Sequence, residues 1–87
     1  MIFTVYVLYS PDHDKIYIGF TGNLLARLLS HNVLATKGWT VRFRPWILIY
    51  TEEFADKKSA MQREKELKSA KGREFIRNYI ASKNIKG

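Results

Sequence analysis

The chain has no cysteine among its 87 residues. That excludes disulfides and thiolate metal sites and is in keeping with a reducing cytoplasm. No apolar run approaches the ~20 residues that span a bilayer, so no membrane crossing is expected. The first residues lack a basic n-region and a small-residue cleavage site, so no secretory signal is expected. Acidic groups are scarce: eight Asp and Glu stand against fifteen Lys and Arg, a formal net charge of +7. Such an excess on a small surface favours an anionic partner, with nucleic acid ahead of an anionic membrane and plain solubility as the alternative. With two prolines and five glycines there is no linker composition, nor any repeat or low-complexity tract. One domain over 1–83 is expected, with a frayed tail at 84–87.

What is present is globular, at 46% hydrophobic and 14% aromatic residues. Residues 2–9 are β-branched and aromatic nearly throughout and read as a central strand. The Ser10–Asp14 turn cluster leads into a second strand at 15–20, where Ile16, Ile18 and Phe20 alternate with Tyr17 and Gly19. Asn23 is suited to cap a helix over about 23–31 with a stripe of Leu24, Leu25, Leu28 and Leu29. Residues 32–45 have weak periodicity. Their Lys37, Trp39, Arg42, Phe43 and Arg44 make either a sticky surface for bases and phosphates or a loop that tucks its aromatics under the fold. Residues 46–50 form a third strand, apolar on both faces. From Asp56 the period is helical to a break near Gly72, read as a C-terminal cap, and a last helix carries Phe75, Ile76, Tyr79 and Ile80 inward. The order β-β-α-β-α-α predicts an α+β fold with a three-stranded sheet whose first pair is antiparallel.

The chemistry concentrates at 15–31. Arg27 and His31 are four apart and share one flank of the first helix. With Tyr17 on the preceding strand they are candidates for one site. In the later helix Ala60, Glu64 and Leu67 share a face, which puts a carboxylate at a core position. Glu64 must either meet a basic partner, such as Arg27 or Arg63, or line a cleft and hold a cation.

Thr4-Val5-Tyr6 in the first strand and Tyr17-Ile18-Gly19 in the second resemble the two halves of the GIY-YIG nuclease signature, about ten residues apart. Arg27 stands eight residues after Gly19, His31 four beyond it, and Glu64 in a later helix, as that family's pattern has them. The whole chain is most similar to the small stand-alone bacterial (YhbQ-like) group. The resemblance implies a three-stranded antiparallel sheet flanked by helices, and cleavage of phosphodiester bonds with one divalent ion, Mg²⁺ or Mn²⁺. It implies Tyr6 and Tyr17 as signature tyrosines, Arg27 as catalytic arginine, His31 and Lys15 as further members of the site, and Glu64 as metal ligand. Asn78 is the nearest match to an asparagine near the end of the module. Thr4 and Val5 depart from the signature's glycine and isoleucine.

These residue types suit the reaction. Negative charge builds on phosphate oxygens in the transition state, and a guanidinium fork grips them. A tyrosine begins near a pKa of about 10 and needs cations beside it to act as a base. The expected activity is a metal-dependent nuclease on DNA, with RNA also in view and little sequence preference. The alternative is a non-catalytic nucleic-acid-binding module on the same fold. A partner that delivers substrate would stand in for the targeting domain such nucleases usually carry. Each residue also has a plainer reading: Tyr6 and Tyr17 as core aromatics, Arg27 and His31 as a solvated flank, Glu64 as half of a salt bridge.

Overall fold

A computed structural model describes residues 1–84. Three strands form one antiparallel sheet in the order β2-β1-β3: β1 (Phe3–Ser10), β2 (Lys15–Thr21) and β3 (Ile47–Phe54). The helices are α1 (Leu24–Leu29), α2 (Lys57–Lys68) and α3 (Ala70–Ser82). The α+β architecture is the expected one.

β1 is central because it has apolar side chains for both faces. Val5, Val7 and Tyr9 point one way and, with Ile16 and Ile18, pack beneath Ala60, Leu67, Ile76 and Ile80 of α2 and α3. Tyr6 and Leu8 point the other way, into a second cluster with Trp46, Tyr17, Leu24, Leu28 and Phe43. The sheet is therefore covered twice: by a helical layer on one face, and by α1 and the segment after it on the other.

Several local expectations change. β3 is an edge strand rather than a buried one, and it slips register opposite Val7 and Leu8. Its apolar Ile47 and Leu48 are exposed because no strand lies beyond them. Only half of the α1 stripe is covered: Leu24 and Leu28 join the second cluster, whereas Leu25 is 80% exposed. The break between α2 and α3 falls at Ser69, which ends α2 and caps α3 by accepting from the Gly72 backbone N–H. Gly72 is inside α3 and is needed for contact: a Cβ there would lie 2.3 Å from the Glu66 carbonyl oxygen. Asn84 sits in a turn with its N–H on the Ala81 carbonyl, and the rest of the expected tail, 85–87, lies outside the described residues.

Candidate active site

The antiparallel register of β1 and β2 pairs Tyr6 with Gly19 and Leu8 with Tyr17. Tyr6 and Tyr17 therefore rise from the same sheet face, with ring centroids 6.1 Å apart. Gly19 makes room for them. A Cβ on Gly19 would stand 2.7 Å from the Tyr6 hydroxyl and 3.1 Å from the Tyr17 ring, so the second half of the motif ends in glycine for steric reasons. Thr4, Val5 and Ile18 are buried strand residues; Val5 and Ile18 fill the helical side of the sheet.

α1 starts on Asn23, whose side chain accepts from the Ala26 N–H, and its last turns bring Arg27 and His31 over the tyrosines. Beyond Leu29 the helix widens, with the Ala35 N–H on the Ser30 carbonyl, a π-helical turn over Ser30–Leu34. Wide turns of this kind often mark functional sites. His31 is only 4% exposed. Its Nε2 lies 3.0 Å from the Tyr6 hydroxyl, its Nδ1 lies 3.1 Å from the Thr40 hydroxyl, and its ring stands 4.6 Å from that of Tyr17.

The segment that holds His31 is stitched from both ends. Asn32 brackets Trp46, accepting from its N–H at 2.7 Å and donating to its carbonyl at 3.1 Å. The Trp46 indole N–H donates to the Thr40 carbonyl. Arg44 donates to the carbonyls of His31, Ser30 and Ala35 at 2.6, 3.1 and 2.7 Å. Expected at a nucleic-acid surface, Arg44 instead caps the carbonyl end of the π-helical turn, because helix ends leave acceptors without partners. Trp39 packs against Phe43 and Trp46, with centroids 4.8 and 5.7 Å away, yet remains 46% exposed. The loop tucks Phe43 in, as one of the two expectations had it, and leaves Lys37 and Arg42 exposed. Lys15 shares the Tyr17 face of β2, but its ammonium sits over the Phe43 ring at 5.5 Å.

The electrostatics follow from burial. Burial pushes the Tyr6 phenol up to about 12, and the neighbouring Arg27 only partly offsets this. Contact with the Tyr6 oxygen, and more weakly with Tyr17, holds the Arg27 guanidinium above its usual range. Burial first, then the charges of Arg27 and Arg44, push His31 below the ordinary histidine value, so its ring is neutral at pH 7. One ring nitrogen of the neutral imidazole donates and the other accepts, so His31 links the Tyr6 hydroxyl at Nε2 to the Thr40 hydroxyl at Nδ1.

Glu64 is not in this cluster. Its side chain is 22% exposed and pairs with Lys68 one turn on, at 3.6 Å. Its neighbours on the same stripe, Ala60 and Leu67, pack on the sheet face opposite Tyr6. Arg63 reaches Glu52 on β3 at 3.0 Å, which fixes the β3 flank of α2. Glu64 lies about 100° further round the helix, across the buried stripe, and so faces the β2 edge, the strand of Tyr17. No group of three or more acidic or histidine ligands exists among the described residues. The donor set is therefore one carboxylate, which suits Mg²⁺ or Mn²⁺ carrying most of its water and sharing a substrate phosphate, not a closed protein cage. Asn78 is exposed on α3, in the helical layer, and the fold does not bring it to the tyrosines.

Sequence reasoning missed Thr40, Asn32 and the structural role of Arg44. They lie in a segment without periodicity, and only their partners give them meaning.

Strand-borne tyrosines over a glycine, with an arginine and a histidine from the helix and turn that follow, bring the two signature halves together on an α+β fold. Residues 2–79 match the GIY-YIG catalytic domain model, and the chain belongs to that family. It is 38% identical over 65 residues to a UPF0213 protein of Staphylococcus haemolyticus, covering 75% of this chain and 78% of the relative. It is 40% identical over 83 residues to a UPF0213 protein of Lactiplantibacillus plantarum, covering 93% and 80%. The solution structure of a UPF0213 protein from Bacillus halodurans superposes with a TM-score of 0.54 at 28% identity, over 90% of this chain and 84% of that one.

Proposed function

We propose that this protein cleaves phosphodiester bonds, acting on DNA, and on RNA where offered, with little sequence preference and with one divalent ion, Mg²⁺ or Mn²⁺, recruited by Glu64. The single observation that carries the reading is the buried, neutral His31 hydrogen-bonded to Tyr6 beside Arg27. What distinguishes it is the identity of the partner: a hydroxyl that can pass a proton to Nε2, next to a guanidinium that acts on the same oxygen.

A lone tyrosinate is a poor prospect here, since burial pushes Tyr6 to about 12. The paired hydroxyls offer another route. Tyr17, less buried than Tyr6, meets the attacking water. As the water oxygen bonds to phosphorus, its proton passes to the Tyr17 oxygen, the Tyr17 proton to the Tyr6 oxygen and the Tyr6 proton to His31 Nε2, so no free phenolate forms. His31 ends as imidazolium, held on Thr40 through Nδ1. Arg27 stabilises the charge on the phosphate oxygens, and the bond to the leaving oxygen breaks with that oxygen taking a proton from solvent. The divalent ion, when bound, supplies further positive charge at the phosphate. The site of action in this reading is the cytoplasm, with a protein partner that delivers substrate.

The test is cleavage of plasmid, single-stranded and branched DNA in Mg²⁺, Mn²⁺ and EDTA. Arg27→Ala is expected to lower the rate by about 10²–10³ with little loss of affinity, and Glu64→Gln to abolish metal-dependent cleavage. Wild-type protein inert on every substrate, or activity that survives both substitutions, overturns the nuclease reading. The non-catalytic alternative then stands if binding persists.

A further inference from the structure

We propose that the outer face of α2 is a second contact surface for nucleic acid, a track for backbone phosphates beside Glu64. The inference rests on the nucleic-acid reading above and extends it to residues on the other side of the sheet edge from the tyrosine cluster.

Lys57, Lys58, Met61, Gln62 and Lys65 line one shallow groove along the helix. Three observations set it apart from an ordinary solvated face. First, α2 is well supplied with ion pairs, but they lie elsewhere: Arg63 with Glu52 and Glu66, and Lys68 with Glu64. The side chains of Lys57 and Lys65 make no ion pair or hydrogen bond among the described residues, whereas Lys58 faces the Asp56 carboxylate. Second, the Asp56 carboxylate already serves the positive end of the helix, capping it by accepting from the Ser59 N–H and hydroxyl and answering the charge of Lys58, so Lys57 and Lys65 have no acidic partner there. Third, the flank is the right one. Arg63 marks the side that faces β3, and Glu64, Lys57, Met61 and Lys65 lie on the other side, towards β2. A strand held near Glu64 at the β2 edge would continue over these lysines. Met61, 49% exposed, and Gln62 complete a floor that is apolar and neutral. Such a surface attracts the phosphate backbone without reading bases, in keeping with little sequence preference.

The experiment compares two variants of equal charge loss, Lys58→Gln/Lys65→Gln on the groove and Lys71→Gln/Lys83→Gln away from it. Binding of the full chain to a labelled 20-base-pair duplex is followed by fluorescence anisotropy across a salt series, with no metal, so the readout does not depend on cleavage. The groove variant is expected to bind about tenfold or more weakly at low salt, with the slope of log K against log salt reduced by roughly one to two units. Its melting temperature should stay near wild type, since both lysines are exposed. The control variant should remain near wild type. Equal losses in the two variants mean that only mean charge matters and overturn the proposal, as does an unchanged groove variant. Anionic vesicles of phosphatidylserine in phosphatidylcholine are the second arm. Loss of vesicle binding by the groove variant with duplex binding intact assigns the face to a membrane and also overturns it. Wild-type protein that binds no nucleic acid at low salt removes the proposed function and this surface together, whereas a normal wild type with a normal groove variant removes this surface alone.

Discussion

The tyrosine pair and Gly19 are one steric unit. Tyr6 and Tyr17 meet because β-register sets Tyr6 opposite Gly19, and their rings then occupy the volume a side chain at that position would fill. Tyr6 cannot yield freely, since it is fully buried and bonded to His31. Gly19→Ala is therefore expected to cost about 1–3 kcal/mol of stability, as overpacking in a core does, and to cut cleavage out of proportion by moving the Tyr6 hydroxyl off Nε2. Urea denaturation alongside a cleavage assay checks both; an alanine variant with wild-type rate would mean that the Tyr6–His31 bond is dispensable.

At the scale of elements, the site depends on a segment with no long helix or strand. The π-helical turn, the short 3₁₀ turn at Trp39–Phe43 and the entry to β3 are joined by Arg44, Asn32 and Trp46. Arg44 is the centre of this arrangement, with three carbonyls on one guanidinium. Hydrogen bonds from a charged donor contribute ~1.5–3 kcal/mol each, although the three share one side chain and will not add. Lysine has the charge but not the planar fork. Arg44→Lys should thus lower stability by about 2 kcal/mol and speed amide hydrogen exchange over residues 30–46, while α2 and α3 keep their protection. Uniform loss of protection across the chain would show that the segment is not a separate unit.

For the whole molecule, the two sheet faces differ: the helical layer supplies most of the apolar core, and the other face carries the tyrosine–histidine cluster. Global stability consequently feels the ionisation of a site residue. His31 is held below its ordinary value by burial and by Arg27 and Arg44. Between its folded pKa and the unfolded value near 6.5, the unfolded chain binds a proton that the folded chain does not. Stability is then full above about pH 6.5 and declines as pH falls towards the folded pKa. Melting temperature should drop over that acidic window in the wild type and drop less in His31→Gln, measured by circular dichroism in buffers of equal ionic strength. Parallel curves for the two proteins would assign the acid sensitivity to carboxylates instead.

Local pattern was enough for the strands and helices, since period 2 in 15–20 and the helical stripe of Ala60, Glu64 and Leu67 depend only on neighbours in sequence. Tyr17, Arg27 and His31 were legible as one candidate site from element and spacing, whereas Tyr6 and Gly19 were legible through the resemblance to the family signature. Composition alone put all of 46–50 in the interior and Leu25 in the core; Ile47, Leu48 and Leu25 are exposed, because an edge position or an uncovered helix side is a property of what lies alongside. Arg44 read as a phosphate contact until its three carbonyl partners, 9 to 14 residues away, were in place. Thr40 carried no signal at all, since a threonine in an aperiodic segment gains its role only from His31, nine residues back in the chain. Sequence determined the family, the reactive side chains the chain holds and the elements that carry them. Tertiary structure alone decided which polar groups meet, because hydrogen bonds across a fold are set by packing between distant segments and leave no periodic trace in any one of them.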